Sequence, residues 1–492
     1  MEATHGPYDV IVVGAGNAAL TAALSAREAG ARVLVLEKAS HGERGGNSRF
    51  SGGLFRFAYD SIEDVRLLLP DAERGARVDV GRYPEDHFYG DLMKVTRGRA
   101  NPDLSRKLVS ESLGTMRWMA GHGMEWAWTH LWSVEASGGG RKYNPGSVLE
   151  AKDRGVGLVA RLFKAAEREG IEVRYGTGVT GLGVDQAGGM VTLAVAGEKG
   201  GEEMSARSVV LGSGGFEANG AMRARHLGGK WEKVKVRGTR HNTGEVLAAA
   251  LEAGASGAGQ WEGCHATPID AFAPDVGDLR LTDSTNRLSY PFGIMVNRRG
   301  RRFLDEGEDL GAYTYAKAGG LILEQPGGVA FQIFDRKTLH LLETRYETAE
   351  PMTANSIDEL AVEIGLAPHG LLKTVREFNL SVFRGAFDPS TRDGNGTRGI
   401  APSKSNWALP IDSPPFMVYP VTGGITFTFG GLKIDTEARV LDTSGSPMPG
   451  LYATGEITGE FFYHNYPGGS GLMRGAVFGR IAGGNAAEHA RG

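Results

Sequence analysis

The hydrophobic and polar positions of the first 40 residues form two strand patterns separated by one helical pattern. Val10–Val13 is an apolar, β-branched run that ends at glycine, residues 17–29 have a helical spacing rich in alanine and leucine, and residues 32–36 form a second apolar run. A strand, a helix and a strand in this order are typical of a parallel βαβ unit. We therefore predict an α/β domain that begins near residue 10.

Helical and strand patterns continue to about residue 258 and return near the C-terminus. Residues 259–403 differ, because they carry more proline and aromatic residues and lack the βαβ rhythm. We predict a discontinuous nucleotide-binding domain over residues 1–258 and 404–492, with an α+β capping domain inserted over residues 259–403. The further predicted helices cover residues 102–121, 157–169, 244–254 and 470–489, and the further predicted strands cover residues 171–175, 191–196, 208–211, 423–429, 431–434 and 450–454.

Composition narrows the functional classes. A formal net charge of −4, spread along the chain, argues against a nucleic acid partner. The single cysteine, Cys264, permits no intrachain disulfide, and no second Cys/His cluster lies nearby, so we expect no metal site. No apolar run has the length of a membrane span and no secretion signal pattern is visible, so we expect a cytoplasmic protein without direct membrane insertion.

A glycine motif lies between the first predicted strand and helix. Gly14-Ala15-Gly16-Asn17-Ala18-Ala19 matches the dinucleotide-binding fingerprint in its final-alanine form. Gly14 would allow a tight turn, Gly16 would let a pyrophosphate approach the backbone, and Ala19 would let helix and strand pack closely. Glu37 ends the second strand, 23 positions after Gly14, where a carboxylate can accept hydrogen bonds from a ribose. The fingerprint alone does not distinguish FAD from NAD.

Further glycine-rich segments at residues 45–53, 212–216 and 450–456, with the turn at 242–245, follow in a fixed order. With the fingerprint, they resemble the fumarate reductase/succinate dehydrogenase flavoprotein superfamily from about residue 8 to 485. Residues 49–58, 289–297 and 461–472 are most similar to its tricarballylate dehydrogenase branch. The resemblance implies an α/β fold: a Rossmann-like, two-dinucleotide-binding FAD domain with the inserted α+β cap.

The resemblance also implies the residues that hold FAD. Succinate dehydrogenases attach the flavin to a histidine at the position of Gly46, so we expect non-covalent FAD here. Residues 470–472 begin the last helix, whose N-terminus would stabilise negative charge on a reduced flavin. The implied FAD contacts are Gly14, Gly16, Ala19, Glu37, Lys38, Asn47, Ser48, Gly52, Gly53, Gly214, Gly215, Asn242, Thr243, Glu456, Ser470, Gly471 and Leu472.

The substrate-binding residues of soluble fumarate reductases are partly replaced. Phe427 stands where they carry a histidine, Tyr466 stands where they carry an arginine, and Asp309 replaces the arginine of their proton path. Each remaining candidate has a plain structural alternative: a loop, a solvated charge run, a core aromatic or a structural ion pair. The catalytic candidates are His265, Glu306, Arg240, Tyr463, His464, Tyr466 and Arg474.

The resemblance implies dehydrogenation of a CH–CH bond next to a carboxylate, in a tricarballylate-like acid, with hydride transfer to flavin N5. The expected partners are a small carboxylate substrate and a separate electron-transfer protein. One alternative is an alkene reductase of the fumarate type or a ketosteroid-type dehydrogenase. The other, of a different class, is a flavin-binding subunit or sensor without turnover.

Overall fold

The computed structural model describes residues 8–135, 139–185, 189–197, 200–383 and 385–492. Its strands, in chain order, are Val10–Val13 (β1), Val33–Leu36 (β2), Leu54–Phe55 (β3), Val78–Asp79 (β4), Trp126–Trp128 (β5), Ser133–Glu135 (β6), Arg141–Tyr143 (β7), Leu149–Ala151 (β8), Glu172–Arg174 (β9), Gly178–Val184 (β10), Val191–Gly197 (β11), Gly200–Ala206 (β12), Ser208–Leu211 (β13), Lys235–Val236 (β14), Gly257–Asp270 (β15), Ile294–Asn297 (β16), Val329–Phe334 (β17), Met352–Ala354 (β18), Phe416–Leu432 (β19), Arg439–Leu441 (β20) and Pro447–Ala453 (β21).

The helices connect these strands and cover the sheets. In chain order they are Asn17–Glu28 (α1), Gly46–Arg49 (α2), Ile62–Arg66 (α3), Asp71–Arg74 (α4), Glu85–Val95 (α5), Pro102–Ser110 (α6), Ser112–Gly121 (α7), Arg154–Arg168 (α8), Gly220–Leu227 (α9), Glu245–Glu252 (α10), Tyr315–Leu323 (α11), Ile357–Glu363 (α12), Pro368–Ser381 (α13) and Ser470–Arg491 (α14).

The fingerprint lies on a sheet with the strand order β20-β21-β13-β1-β2-β9. Strand β1 pairs in parallel with both β2 and β13, and only β20 joins antiparallel. Every residue of β1, β2 and β13 is buried, as expected for parallel strands that are covered on both faces. The predicted βαβ unit and the α/β fold class are confirmed.

Helices α1 and α14 pack unusually closely. A Cβ atom at Gly479 would lie 2.6 Å from the Ala18 carbonyl oxygen, and one at Gly483 would lie 2.1 Å from that of Ala22. The glycines of the last helix therefore let the two backbones touch. At their N-terminal ends, Asn17 Nδ2 donates to the Leu472 carbonyl at 2.9 Å. The packing thus brings two helix N-termini to one place.

A second six-membered sheet is built around the long strand β19. It has the order β14-β19-β17-β16, and β15 and β18 also pair with β19. Residues 423–429 and 431–434, predicted as two strands, lie largely within this single strand, because the chain pairs with β15 through Gly430 and Gly431 without turning. Strand β15 was not predicted, and it places Cys264 and His265 in a sheet instead of a loop.

Residues 102–121, predicted as one helix, form α6 and α7 with a break at Glu111.

In the part of the chain that the structure describes, no helix combines the length and hydrophobicity needed to cross a membrane.

Candidate active site

A cleft of about 890 Å³ opens where β1 and β2 end. Gly14 has a φ of +101°, and a Cβ atom there would lie 2.5 Å from the Gly212 carbonyl oxygen, so this turn requires glycine. A Cβ atom at Gly16 would find its nearest neighbour, Ser48 Oγ, at 3.4 Å. Position 16 therefore leaves the cleft open beside the N-terminus of α1, where an anion is favoured.

Most of the predicted FAD contacts line this cleft. Glu37 is buried at its wall and accepts a hydrogen bond from the Ala39 backbone N–H at 2.7 Å. Burial raises the pKa of Glu37, although backbone N–H groups of Ala39 and Ala15 oppose the shift. The predicted residues that line the cleft are Gly14, Gly16, Glu37, Lys38, Asn47, Ser48, Gly214, Asn242, Thr243 and Glu456.

The other predicted FAD contacts have different positions. Gly52, Gly471 and Leu472 line a second cavity. Ala19 packs against Gly212, and Gly53 packs against the Arg154 backbone. Gly215 leaves room for the Glu456 carboxylate, and the buried Ser470 donates from its hydroxyl to the Pro467 carbonyl at 2.5 Å.

The second cavity, of about 940 Å³, continues from the cleft. Asn17, Ala18, Asn47, Ser48 and Glu456 line both spaces. The N-terminus of α14 also borders this cavity through Gly471 and Leu472. A bound dinucleotide can therefore lie in the cleft and extend one end into the cavity, and we call this second space the catalytic cavity.

Three buried arginines line the catalytic cavity. Arg345 forms ion pairs with Asp283 and, at 3.1 Å, with Glu343. Arg237 and Arg474 form no ion pair within the described residues. Arg474 is influenced by the charge of Glu456 in the same cavity, but neither arginine is in direct contact with a carboxylate of the described residues, so both can bind an anionic ligand.

Hydrogen bonds orient the two unpaired arginines. Arg237 donates from Nε to the Thr426 hydroxyl and from Nη1 to the Phe50 carbonyl, both at 3.0 Å. Arg474 lies against the Phe462 ring, 4.8 Å from its centroid, and its Nε is buried with no partner in the described residues. Burial lowers the pKa of Arg474 to about 10.

An aromatic group forms another wall. The hydroxyls of Tyr315 and Tyr466 are hydrogen-bonded to each other. Burial raises the pKa of both phenols, which keeps them protonated at neutral pH. The His265 ring lies 5.1 Å from Tyr315 and 5.0 Å from Tyr466, centroid to centroid. Burial, and then the charge of Arg237, lowers the pKa of His265, so this imidazole is neutral.

Of the seven catalytic candidates, Tyr466 and Arg474 line the catalytic cavity, and the rest do not, namely His265, Arg240, Glu306, Tyr463 and His464. The Arg240 side chain is 65% exposed and faces Glu43. Glu306 is buried in an ion pair with Arg302 and accepts from the Met295 backbone N–H, so it stabilises the chain around strand β16. Tyr463 lies under the Arg99 guanidinium, and the His464 backbone N–H donates to Gln260.

Sequence reasoning missed three cavity residues: Arg237, Tyr315 and Arg345. They come from the segment after β14, from the start of α11 and from the short helical turn Thr344–Thr348. None lies in a glycine motif, and no spacing connects them. Only the position of Arg237, three residues before the candidate Arg240, offered a sequence signal.

Two neighbouring carboxyl groups lie at the wall of the cleft: the half-buried Glu456, which lines it, and the buried Glu217 behind it. Glu217 Oε1 accepts from Asn47 Nδ2 at 2.5 Å and from Asn242 Nδ2 at 2.7 Å. Asn242 Nδ2 also lies 3.4 Å from Glu456 Oε2. Burial, and then the charge of Glu456, raises the pKa of Glu217 well above its usual value of 4.5. Glu217 therefore keeps its proton to a higher pH than an exposed glutamate would.

Glu217→Gln should make the protein more stable at neutral and alkaline pH. The raised pKa of Glu217 gives stability that is present below pH 4.5 and is lost as the pH rises through the folded-state pKa. Glutamine imitates the protonated carboxyl group, so the variant should avoid this loss, a gain of roughly 1–3 kcal/mol. Thermal unfolding from pH 5 to 9 measures it, with Glu203→Gln as an exposed control. Parallel pH profiles of variant and wild type would contradict the prediction.

Comparison with known proteins agrees with this geometry. The family described as FAD binding domain matches residues 9–472. The chain belongs to this FAD binding domain family. Its cofactor is therefore FAD, and the glycine-lined cleft with a helix N-terminus and a buried carboxylate meets the physical needs of that dinucleotide.

Relatives of this FAD binding domain protein are oxidoreductases. It is 31% identical to "Probable fumarate reductase Ifc3" of Shewanella frigidimarina (strain NCIMB 400), over 98% of this chain and 75% of the relative. The open conformation of a flavocytochrome c3 fumarate reductase matches with a TM-score of 0.72 and 28% identity, over 98% of this chain and 78% of that one.

A 3-ketosteroid delta1-dehydrogenase from Sterolibacterium denitrificans shares the fold, with a TM-score of 0.74 and 22% identity, over 98% of this chain and 99% of that one. The family match and the fumarate reductase relative show an FAD-dependent oxidoreductase of the fumarate reductase family that acts on CH–CH or C=C bonds. The predicted superfamily is confirmed.

Proposed function

We propose that this enzyme dehydrogenates a CH–CH bond next to a carboxylate, with tricarballylate-like acids as its substrate class. The observation that supports this proposal is the presence of two buried arginines, Arg237 and Arg474, that line the catalytic cavity and form no ion pair within the described residues. An anionic substrate would supply the missing charge, and arginine suits a carboxylate because its donors match two oxygens.

Different residues of the chain would have different roles in this reaction. Bound FAD supplies the two-electron acceptor for the carbon–carbon bond. Arg237 and Arg474 would hold the carboxylate and offset the negative charge that develops when the neighbouring carbon loses its proton. The proton would be relayed through the hydrogen-bonded hydroxyls of Tyr466 and Tyr315, each of which gives up its own proton as it accepts one, and the neutral imidazole of His265 beside them would be the final acceptor. Phe427, Leu131 and Leu288 would exclude water from the cavity.

An anaerobic screen tests the proposed function. The oxidised holoenzyme is mixed with saturated mono-, di- and tricarboxylic acids and with ketosteroids, and loss of the visible flavin absorbance is followed. Acids that bleach the flavin should also turn over with an artificial electron acceptor. The proposal fails if no acid bleaches the flavin while a neutral compound does.

A ketosteroid-type dehydrogenase is the second candidate. It is favoured by the Tyr315–Tyr466 hydrogen bond and by the aromatic lining of Trp132 and Phe427, which suit a ring carbonyl better than a second carboxylate. The same screen separates the two candidates, because this one requires a neutral steroid to bleach the flavin. Reduction of an alkene is the reverse reaction and is tested by offering unsaturated acids to the reduced enzyme.

FAD should be released when the protein is denatured. Gly46, which lines the cleft, carries no side chain to which the flavin could be attached. We expect acid or heat to leave a colourless polypeptide and free FAD in the supernatant. Flavin absorbance that stays with the polypeptide after denaturation and gel filtration would show a covalent link through another residue.

Other features stay predictions. The division into residues 1–258 with 404–492 and a cap over 259–403 is a proposal, and β15 and β19 connect the two parts in one sheet. A cytoplasmic location and a separate electron-transfer protein are proposals as well. A non-catalytic flavin-binding role would be supported only if no compound in the screen changed the flavin spectrum.

A further inference from the structure

A third space, larger than the catalytic cavity, lies next to it. The third space has a volume of about 1810 Å³ and is bordered on one side by residues 130–135 and 141–144, which include the paired strands β6 and β7, and on the other by residues 288–292 and 340–344. We call it the outer cleft. Leu131, Trp132 and Leu288 line both spaces, so they form the wall between them.

Positive charge dominates the described lining of the outer cleft. Arg141, Lys142 and Arg154 line it, against the carboxylates of Glu135 and Glu343, and Glu343 is already bound to Arg345. Arg141 donates to the Ser133 hydroxyl at 2.7 Å and forms no ion pair within the described residues. Burial, and then the charges of Arg141 and Arg154, lowers the pKa of His130 at the same wall.

The cations continue from the outer cleft into the catalytic cavity. Arg154 lies in the outer cleft, and its Nη1 is 3.6 Å from Asp283 Oδ1. Asp283 also pairs with Arg345, which lines the catalytic cavity. An anion that moves from the outer cleft to the cavity therefore passes Arg141, Arg154 and Arg345 in turn. Arg154 is also paired with Glu150, so the attraction comes from Arg141 and Lys142, which form no ion pair within the described residues and raise the local anion concentration and the rate of entry.

Trp132 stands at the boundary in a strained conformation. Its φ is +52°, which is uncommon for a residue with a bulky side chain. Its ring fits because Gly311 and Gly468 lack side chains, since a Cβ atom would lie 2.9 Å from the ring at Gly311 and 2.4 Å from it at Gly468. The ring also lies 5.2 Å from that of Tyr315. Strained residues persist where the surroundings enforce them, often at functional sites.

We propose that the outer cleft is the entrance by which anionic substrates reach the catalytic cavity, and that the Trp132 ring is the gate between the two spaces. This rests on the proposed function only for the identity of the substrate, because any small anion should use the same route. It adds an access route and a specificity element to the cavity: the charge of the cleft selects anions, and the ring limits their width.

Dithionite tests the charge of the entrance without a known substrate, since its reactive species is a small radical anion. The double variant Arg141→Gln/Lys142→Gln is compared with Arg225→Gln/Lys233→Gln, which removes two exposed cations that do not line the outer cleft. Flavin reduction in the holoenzyme is followed by stopped flow. The cleft variant should react about 3- to 10-fold more slowly than wild type at low ionic strength.

Two controls, high salt and a cationic reductant, show whether the slower reduction is caused by the lost positive charge. The difference should disappear near 1 M salt, where charges are screened within about 3 Å. Reduced methyl viologen, a cation, should not be slowed by the same substitutions. Equal rates in the cleft and control variants at low salt would overturn the proposal that the outer cleft is the entrance for anions.

Trp132→Gly tests the gate, because glycine accepts the positive φ and removes the ring. Dithionite should reduce this variant several-fold faster than wild type at both salt concentrations, with Trp132→Phe between them. An unchanged rate in a variant that retains FAD would overturn the gate. If dithionite behaves as expected but no acid bleaches the flavin, the entrance stands and the proposed acid substrate fails; the opposite pattern refutes the entrance alone.

Discussion

Gly16→Val should fold and lose FAD. A Cβ atom at position 16 has no neighbour closer than 3.4 Å, so the fold has room for it, whereas the side chain would fill the space beside the helix N-terminus. Two charge-assisted hydrogen bonds to a pyrophosphate contribute about 1.5–3 kcal/mol each. We expect FAD affinity to fall by at least about 100-fold, as measured by titration of the apoprotein with FAD.

Two other glycines provide controls for this experiment. Gly183→Val adds the same side chain in strand β10, where a Cβ atom meets nothing within 4 Å, so FAD affinity should be unchanged. Gly14→Ala should destabilise the protein itself, because the turn has a φ of +101° and the Cβ atom would overlap the Gly212 carbonyl. A Gly16→Val protein with full flavin occupancy would show that the cofactor lies elsewhere.

Arg237→Gln should lower kcat/KM for the acid substrate by about 10- to 100-fold while FAD stays bound. The basis is the loss of one charge-assisted contact to a carboxylate, worth about 1.5–3 kcal/mol. The matched control is Arg240→Gln, three positions away, whose exposed side chain faces Glu43 instead of the catalytic cavity. Both variants remove one positive charge, so a long-range electrostatic effect would appear equally in both.

The measurement is steady-state turnover with the acid that the screen identifies. Flavin content and thermal unfolding are checked first, because Arg237 also donates to Thr426 and Phe50. An equal loss in both variants would place the carboxylate away from Arg237. Normal turnover in Arg237→Gln would leave Arg474 or Arg345 as the carboxylate-binding residue.

The sequence by itself was sufficient to predict the cleft in which we propose that FAD binds. Residues 14–19 form one turn between β1 and α1, and its requirements are local: a positive φ at Gly14 and an open Cβ direction at Gly16. The carboxylate at Glu37 follows because β2 is the parallel neighbour of β1. When a phosphate site is made from the backbone of one βα turn, the residues that it requires are consecutive in the sequence, so a sequence motif can identify it.

Only the tertiary structure decided the catalytic cavity. Arg237, Tyr315 and Arg345 come from segments that no motif connects, and the sheet around β19 together with the packing of α14 brings them together. Arg237 and Arg240 are three residues apart, yet the first is buried at the cavity and the second is exposed. The direction of a side chain at the end of a short strand depends on the strand's pairing partner, which distant residues supply. A substrate site made of such side chains cannot be read from the sequence of any one segment.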